Sequence, residues 1–395
     1  MPIVNRNSFA WLLTLALLAA APTFAKPYLP ADDTIVLERL PEKTDPSLRD
    51  VKRLRAALDR NPSDLTLASR LARRAIEAAR ETGDPRFLGQ AQAALTPWWT
   101  DPNPPPVALL LRATLKQSTH DFNGALADLE RLLARNPNDG QALLTRATVL
   151  TVQGRYSEAR ADCARVAKLT VPLVAIACDA GPASVSGEAE PAYRTLTSAL
   201  AVPALGRNTA DLAEWACTLA GEIAQRRGDV IAAETHFRAA LALDARDPYL
   251  LGAYADFLLE RERPAEVVPL LKDYPRNDSL LLRLALAEAR LPDAREAFEA
   301  HRAELKDRFD AARRRGDSLH RREEARYTLE LAGDSGAALK LAQDNWKVQR
   351  ESADLRILVA TAKAAGDATA MREATDWAHK NHLEDATLAA LLVAP

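Results

Sequence analysis

Gly316-Asp317-Ser318-Leu319 sets a serine hydroxyl behind a Gly-Asp pair, and Asp376-Trp377-Ala378-His379 puts an aspartate three residues ahead of a histidine. A serine oxygen, a histidine to take its proton and an aspartate to hold the imidazole are the parts of an acyl-transfer triad. Gly333-Asp334-Ser335-Gly336 presents a second serine in a similar frame. His379 and His382, spaced i and i+3, share one helical face and offer two metal ligands, but no third ligand lies near them in sequence. Cys163, Cys178 and Cys217 form no C-x-x-C motif. No H-E-x-x-H, phosphate-binding glycine loop or dinucleotide loop is present, so nothing in the sequence calls for a cofactor.

A nucleophilic serine works only where the backbone presents its oxygen to groups that receive an oxyanion. Ser318 follows Ala312, Arg313, Arg314 and Arg315, in a stretch patterned as helix on both sides. The dipeptide Gly-Asp also recurs, at 83–84, 228–229, 316–317, 333–334 and 366–367. Glycine ends a helix in the left-handed conformation and aspartate caps the next one, so these sites read as turns between helices.

The pattern that organises the chain is a repeat. Phe122 and Tyr156, Ala125 and Ala159, Leu129 and Cys163, and Leu132 and Val166 are each 34 residues apart. Ala233, Phe237 and Ala240 occupy the corresponding slots of a later segment, and Val267, Leu271 and Tyr274 fall 34 residues beyond them. Small residues recur in the first helix of each unit (Ala113, Ala147, Ala180, Gly221, Ala255) and in the second (Ala125, Ala159, Ala192, Ala233). Larger apolar residues at i+4 and i+7 complete one helical face. Such a pair cannot bury that face alone, so the expected product is an all-α stack of antiparallel helix pairs.

This arrangement resembles the tetratricopeptide repeat family, closely over 106–277 with an insertion near 201–210, and loosely over 46–105 and 278–395. The resemblance implies a superhelical solenoid that holds a protein partner on its concave surface. It places Leu110, Thr114, Gln117, Leu144, Thr148, Thr151, Thr218, Glu222, Gln225 and Asp256 on that surface. The family's clamp for a C-terminal carboxylate uses Lys and Asn at these positions. Both are missing here, which argues against a chaperone tail as partner. Trp98-Trp99 reads as a cap on the first layer or as an anchor for a partner. Residues 301–326 read as solvated helices with ion pairs or as a basic docking patch.

Two other resemblances concern the serines. The block at 316–319 resembles that of the GDSL esterases, which implies Ser318 as nucleophile with Asp376 and His379. That family positions its serine after an apolar strand and uses Gly and Asn blocks as oxyanion donors, none of which this sequence supplies. Gly333–Gly336 is similar to the nucleophile segment of trypsin-like proteases, which requires a β-barrel. The expected protein is therefore a non-enzymatic scaffold, with a serine hydrolase as the alternative.

Compartment follows from the N-terminus. Arg6, an apolar run of thirteen residues from Phe9 to Ala21, then Pro22-Thr23-Phe24-Ala25 have the order of a cleaved signal peptide over 1–25, followed by a Pro-rich linker over 26–45. The run is shorter than the roughly 20 residues of a spanning helix. Export to the periplasm or beyond is expected, with no membrane span. Formal charge changes from −2 to −3 once Arg6 is removed, which argues against nucleic acid as a partner. In an oxidising compartment Cys163 and Cys178, on consecutive helices, read as a disulfide or as two buried thiols, with Cys217 left over. A protein partner is expected, and self-association is compatible with the sequence. The triad alternative has a direct test: Ser318→Ala is expected to leave the hydrolysis rate of p-nitrophenyl acetate at the level of the unaltered protein, and a loss of activity would establish the hydrolase.

Overall fold

The structure, a computed structural model, describes residues 46–202, 210–316 and 320–393. The signal-peptide segment at 1–25, the linker at 26–45, most of the insertion near 201–210, and Ser318 lie outside the described residues. Within them the chain is helical, with no strand.

Helix α1 (Pro46–Arg60) precedes nine helix pairs among the described residues. These are α2 (Leu65–Thr82) with α3 (Arg86–Ala94), α5 (Pro106–Ser118) with α6 (Phe122–Arg135), and α7 (Gly140–Val152) with α8 (Tyr156–Val166). Then come α9 (Pro172–Ala183) with α10 (Ala189–Leu200), α11 (Ala210–Arg226) with α12 (Val230–Leu243), and α13 (Pro248–Glu260) with α14 (Pro264–Leu271). The last three are α15 (Asp278–Glu288) with α16 (Arg295–Arg314), α17 (Arg321–Glu330) with α18 (Ser335–Trp346), and α19 (Ser352–Ala365) with α20 (Ala368–Lys380). The short α4 (Thr96–Trp99) leads into the second pair, and α21 (Ala386–Val393) closes the stack.

Local chemistry sets the boundaries. Asp121, Asp139, Asp229, Asp247, Asn277, Asp334 and Asp367 each accept a hydrogen bond from a backbone N–H of the helix they begin. Gly228 has φ 79°, which ends α11 at little cost, and Asp229 caps α12 directly after it. The pairs at 333–334 and 366–367 are built the same way, so Ser335 is the first residue of α18 and follows a helix cap rather than a strand.

Packing then follows the small residues. Ala113, Ala125, Ala159, Ala233 and Ala255 are fully buried. Gly221 in α11 lies so close to α12 that a Cβ would come within 2.9 Å of the Phe237 ring, itself fully buried. A charged motif repeats with the same period. Arg112 and Asp128 are 4% and 1% exposed, and Arg112 Nε donates to Asp128 at 2.7 Å. Arg146 and Asp162, each 34 residues further on, repeat the pair at 2.6 Å. Burial alone would raise the Asp128 pKa, but Arg112 and Lys116 donate to its carboxylate and bring it below the usual value. Arg112 also donates to the carbonyls of Trp98 and Trp99, so the tryptophan pair is held as the cap of the first layers. Cys163 and Cys178 are joined as a disulfide between α8 and α9, 15 residues apart, a loop whose closure is worth about 3 kcal/mol; Cys217 is free and buried.

Accumulated rotation brings the end of the stack back onto its middle. The Arg350 N–H donates to the Val152 carbonyl at 2.7 Å, and the Tyr156 and Trp377 rings meet edge-on at 6.3 Å. Arg356 of α19 donates to Glu260 of α13 at 2.9 Å and to Asp385 at 2.8 Å, while the Thr387 hydroxyl donates to Glu260 at 2.9 Å. Two substitutions separate close approach from simple helix propensity. Gly221→Ala is expected to cost about 1–3 kcal/mol by overpacking Phe237. Gly89→Ala, in α3 with open space around its Cα, is expected to gain about 0.5–1 kcal/mol. Urea unfolding of both variants reads the opposite signs.

Candidate functional site

The first helices of successive units face the inside of the superhelix, and their side chains divide it into two parts. Toward the C-terminal end the lumen is filled by ion pairs. Asp256 accepts from Arg283 and from Arg326, each at 2.6 Å. Burial would raise the Asp256 pKa, but the two guanidiniums hold it well below the carboxylate range. Arg322 pairs with Glu351 at 2.9 Å and reaches Asp354 at 3.4 Å. Asp354 is 1% exposed and burial pushes its pKa up to about 6, with Arg322 opposing. Gln225 Nε2 donates to Glu260 at 2.8 Å. In this part every carboxylate named has a cationic or hydrogen-bonding partner from the same chain.

The second part lies between α7, α9, α11 and α13 and is a cleft of about 570 Å³. Leu144, Ala147, Val152, Ala177 and Leu219 supply its apolar surface. Trp215 and Tyr249 stand in its wall, 37% and 62% exposed. Glu214, Glu222, Asp247 and Glu351 also line it, against Arg80 as the one cation among its lining residues. Glu351 is already paired with Arg322. The others have only neutral hydrogen-bond partners among the described residues: Glu214 accepts from the Thr218 hydroxyl at 2.8 Å, Glu222 from the Tyr249 hydroxyl at 2.7 Å, and Asp247 from the Leu250 N–H at 2.8 Å. Burial, reinforced by Asp247, Asp244 and Asp211, pushes Glu214 up to about 7 against the Thr218 hydrogen bond. Burial also raises Glu222, against the opposing charges of Arg226, Arg356 and Arg322, and the charge of Glu222 raises the Tyr249 phenol.

Five of the ten residues placed on the concave surface by sequence meet in this cleft: Leu144, Thr148, Thr151, Thr218 and Glu222. Thr218 is 2% exposed and serves to hold Glu214. Gln225 and Asp256 belong to the ion-paired part, where the chain itself occupies them. Leu110, Thr114 and Gln117 are half-buried and line neither part; the Thr114 hydroxyl donates to the Leu110 carbonyl at 2.9 Å. Trp215, Tyr249, Glu214 and Asp247 were not among the residues expected from sequence. Their signal was available as an aromatic next to an acid at 214–215 and again, across Pro248, at 247 and 249. Asp376 and His379 are exposed on α20 with no hydrogen bond between them among the described residues. No group of three or more metal-ligating side chains occurs among the described residues, and none of their helices is long and apolar enough to cross a membrane. In the charged stretch at 301–326, Arg313 pairs with Asp310 and Glu324 and Arg308 with Asp278.

An all-α solenoid of stacked helix pairs with a concave side-chain face is a protein-interaction architecture. Residues 118–169 match the tetratricopeptide repeat family, and helix pairs of the same kind run on from that segment through the described residues. No curated protein matches the sequence. Among solved structures, it is similar to a tetratricopeptide repeat protein from Parabacteroides merdae (14% identity, 73% of this chain and 98% of that one, TM-score 0.37). It is also similar to a human IFIT1 dimer with PPP-AAAA (13% identity, 85% and 86%, TM-score 0.44). A third similarity is to the APC/C hetero-tetramer Cut9-Hcn1 (15% identity, 79% of this chain, TM-score 0.43), of whose matched chain it spans 58%.

The raised Glu214 makes a signed prediction. The folded state binds this proton more tightly than the unfolded state, whose carboxyl titrates near 4.5, so stability is lost as pH rises from about 4.5 to about 7. Glu214→Gln is expected to raise Tm by about 1–3 °C at pH 8 and to leave it unchanged at pH 4.5, read by thermal unfolding at the two pH values. Equal Tm values at both would remove the carboxylate from this account.

Proposed function

We propose that this protein is an exported, non-enzymatic scaffold that holds another protein of the cell envelope in the cleft between α7, α9, α11 and α13. The observation that carries the reading is the contrast within the lumen. The chain satisfies its own charges in the C-terminal part, yet in the cleft leaves two exposed aromatics and two carboxylates, Glu214 and Asp247, with only neutral hydrogen-bond partners among the described residues. Aromatic side chains beside apolar surface and a few placed polar groups are the composition of a binding site. The helix ends, turns and ion pairs elsewhere are accounted for by packing alone.

Export rests on the order of residues 1–25 and on a disulfide that persists in an oxidising compartment. Both parts are tested together by cross-linking mass spectrometry on envelope extract, using a photoreactive amino acid at Thr148 in the cleft and at Ile231 on an exposed face. The expected result is one reproducible protein captured from Thr148, in a chain whose first residue is Lys26. Capture from neither position would refute the scaffold, and an uncleaved chain in the cytosol would refute export.

A further inference from the structure

We infer that the cleft is built for a cationic partner: an extended peptide segment that alternates arginine or lysine with apolar side chains. The inference rests on the scaffold reading and names the chemistry of the partner. Glu214 and Asp247 line the cleft with only neutral hydrogen-bond donors among the described residues, Glu222 accepts from Tyr249 and has Arg226 as its strongest counter-charge, and Glu351 is committed to Arg322. Removing carboxylates from water without a counter-charge is unfavourable, and a cation brought between them recovers that energy. An arginine or lysine head entering the cleft would meet these carboxylates and lie over the faces of Trp215 and Tyr249, which attract cations electrostatically. Arg80, exposed at the edge, is the only opposing charge in the lining and leaves the balance negative.

The apolar surface makes the other half of the demand. Leu144, Ala147, Val152, Ala177 and Leu219 give the cleft a floor that a small polycation would leave uncovered. Alternation follows from geometry, because successive side chains of an extended strand point to opposite sides. One set then reaches the acidic wall and the other the floor. Four first helices border the cleft; with neighbouring axes about 8–10 Å apart, three steps span about 24–30 Å, or roughly eight extended residues. An acidic peptide is excluded by the same wall, and a wholly polar one would bury nothing.

The test uses the mature full chain and a fluorescein-labelled octapeptide alternating leucine with arginine, followed by anisotropy at pH 8 and 0.15 M salt. Saturable binding is expected, with no binding of the peptide that carries glutamate in place of arginine. Glu214→Gln/Glu222→Gln is expected to weaken it at least tenfold and Trp215→Ala at least fivefold. The exposed pair Glu158→Gln/Glu266→Gln, away from the cleft, is expected to change affinity less than twofold. Lowering the pH from 8 to 6 is expected to weaken binding as Glu214 takes up its proton. Equal binding of the glutamate peptide, an unaffected cleft variant or an equally affected control variant would overturn the inference. So would displacement of the peptide by spermidine at equal affinity, which would assign the cleft to a small polycation. If the cationic peptide fails while a partner is still captured from Thr148, the scaffold stands and only the chemistry assigned to its partner falls.

Discussion

The structure depends on how closely two helices approach within each pair. At Gly221 the limit is reached, because Phe237 occupies the space where a Cβ would be. Alanine at 113, 125, 147, 159, 233 and 255 does the same work elsewhere in the stack. Close approach fixes the distance between helices and thereby the small rotation from one unit to the next. Repeated through nine pairs, that rotation carries the C-terminal units back into contact with the middle ones. The shape of the lumen is thus a consequence of residues that never face it.

That return divides the inner surface. A solenoid of fewer units would leave its whole concave face open. Here α19 and α21 reach α13, and Arg356 bridges Glu260 and Asp385 across the turn. In the same part of the lumen Asp256 is held by Arg283 and Arg326, and Arg322 by Glu351 and Asp354. Breaking one member of such a set leaves a charge without its partner, so the pairs act together to hold the superhelix closed. In the cleft beside them Glu214 and Asp247 keep only neutral hydrogen-bond partners among the described residues, while Arg322 is engaged by Glu351 and Asp354. Structure and recognition are therefore allotted to adjacent stretches of the same surface, and the allotment follows from where the last units come to rest.

The buried Arg112–Asp128 pair and its repeat at Arg146–Asp162 show how the 34-residue period carries more than apolar contacts. In each unit an arginine of the first helix holds an aspartate of the second, which fixes their register as well as their distance. In the first of these units the arginine also holds the Trp98 and Trp99 carbonyls, and the aromatic pair is thereby committed to structure. Burial of a paired charge adds little net stability by itself. Its value lies in specifying one alignment of two otherwise smooth apolar faces.

Much was legible in the sequence for a definite reason. The helices, the Gly-Asp turns and the helix pairing are local, set by side-chain periodicity, capping and small-residue spacing within about 34 residues. Gly228-Asp229 could be read as a turn because its neighbours alone require it. The fate of the concave positions was not local. Asp256 and Glu222 have the same charge and equivalent expected placement, yet one is ion-paired with Arg326, 70 residues away, and the other takes its hydrogen bond from a tyrosine hydroxyl. Ser352 and Asp385, Arg356 and Glu260, and Thr387 and Glu260 meet across separations of 33 to 127 residues. No window of sequence contains both partners of such contacts. By itself the sequence determined an all-α stack of helix pairs, because each unit needs only its neighbour to bury its face. The tertiary structure alone decided which inner residues the chain keeps for itself and which it offers, because that depends on rotation summed over the whole stack.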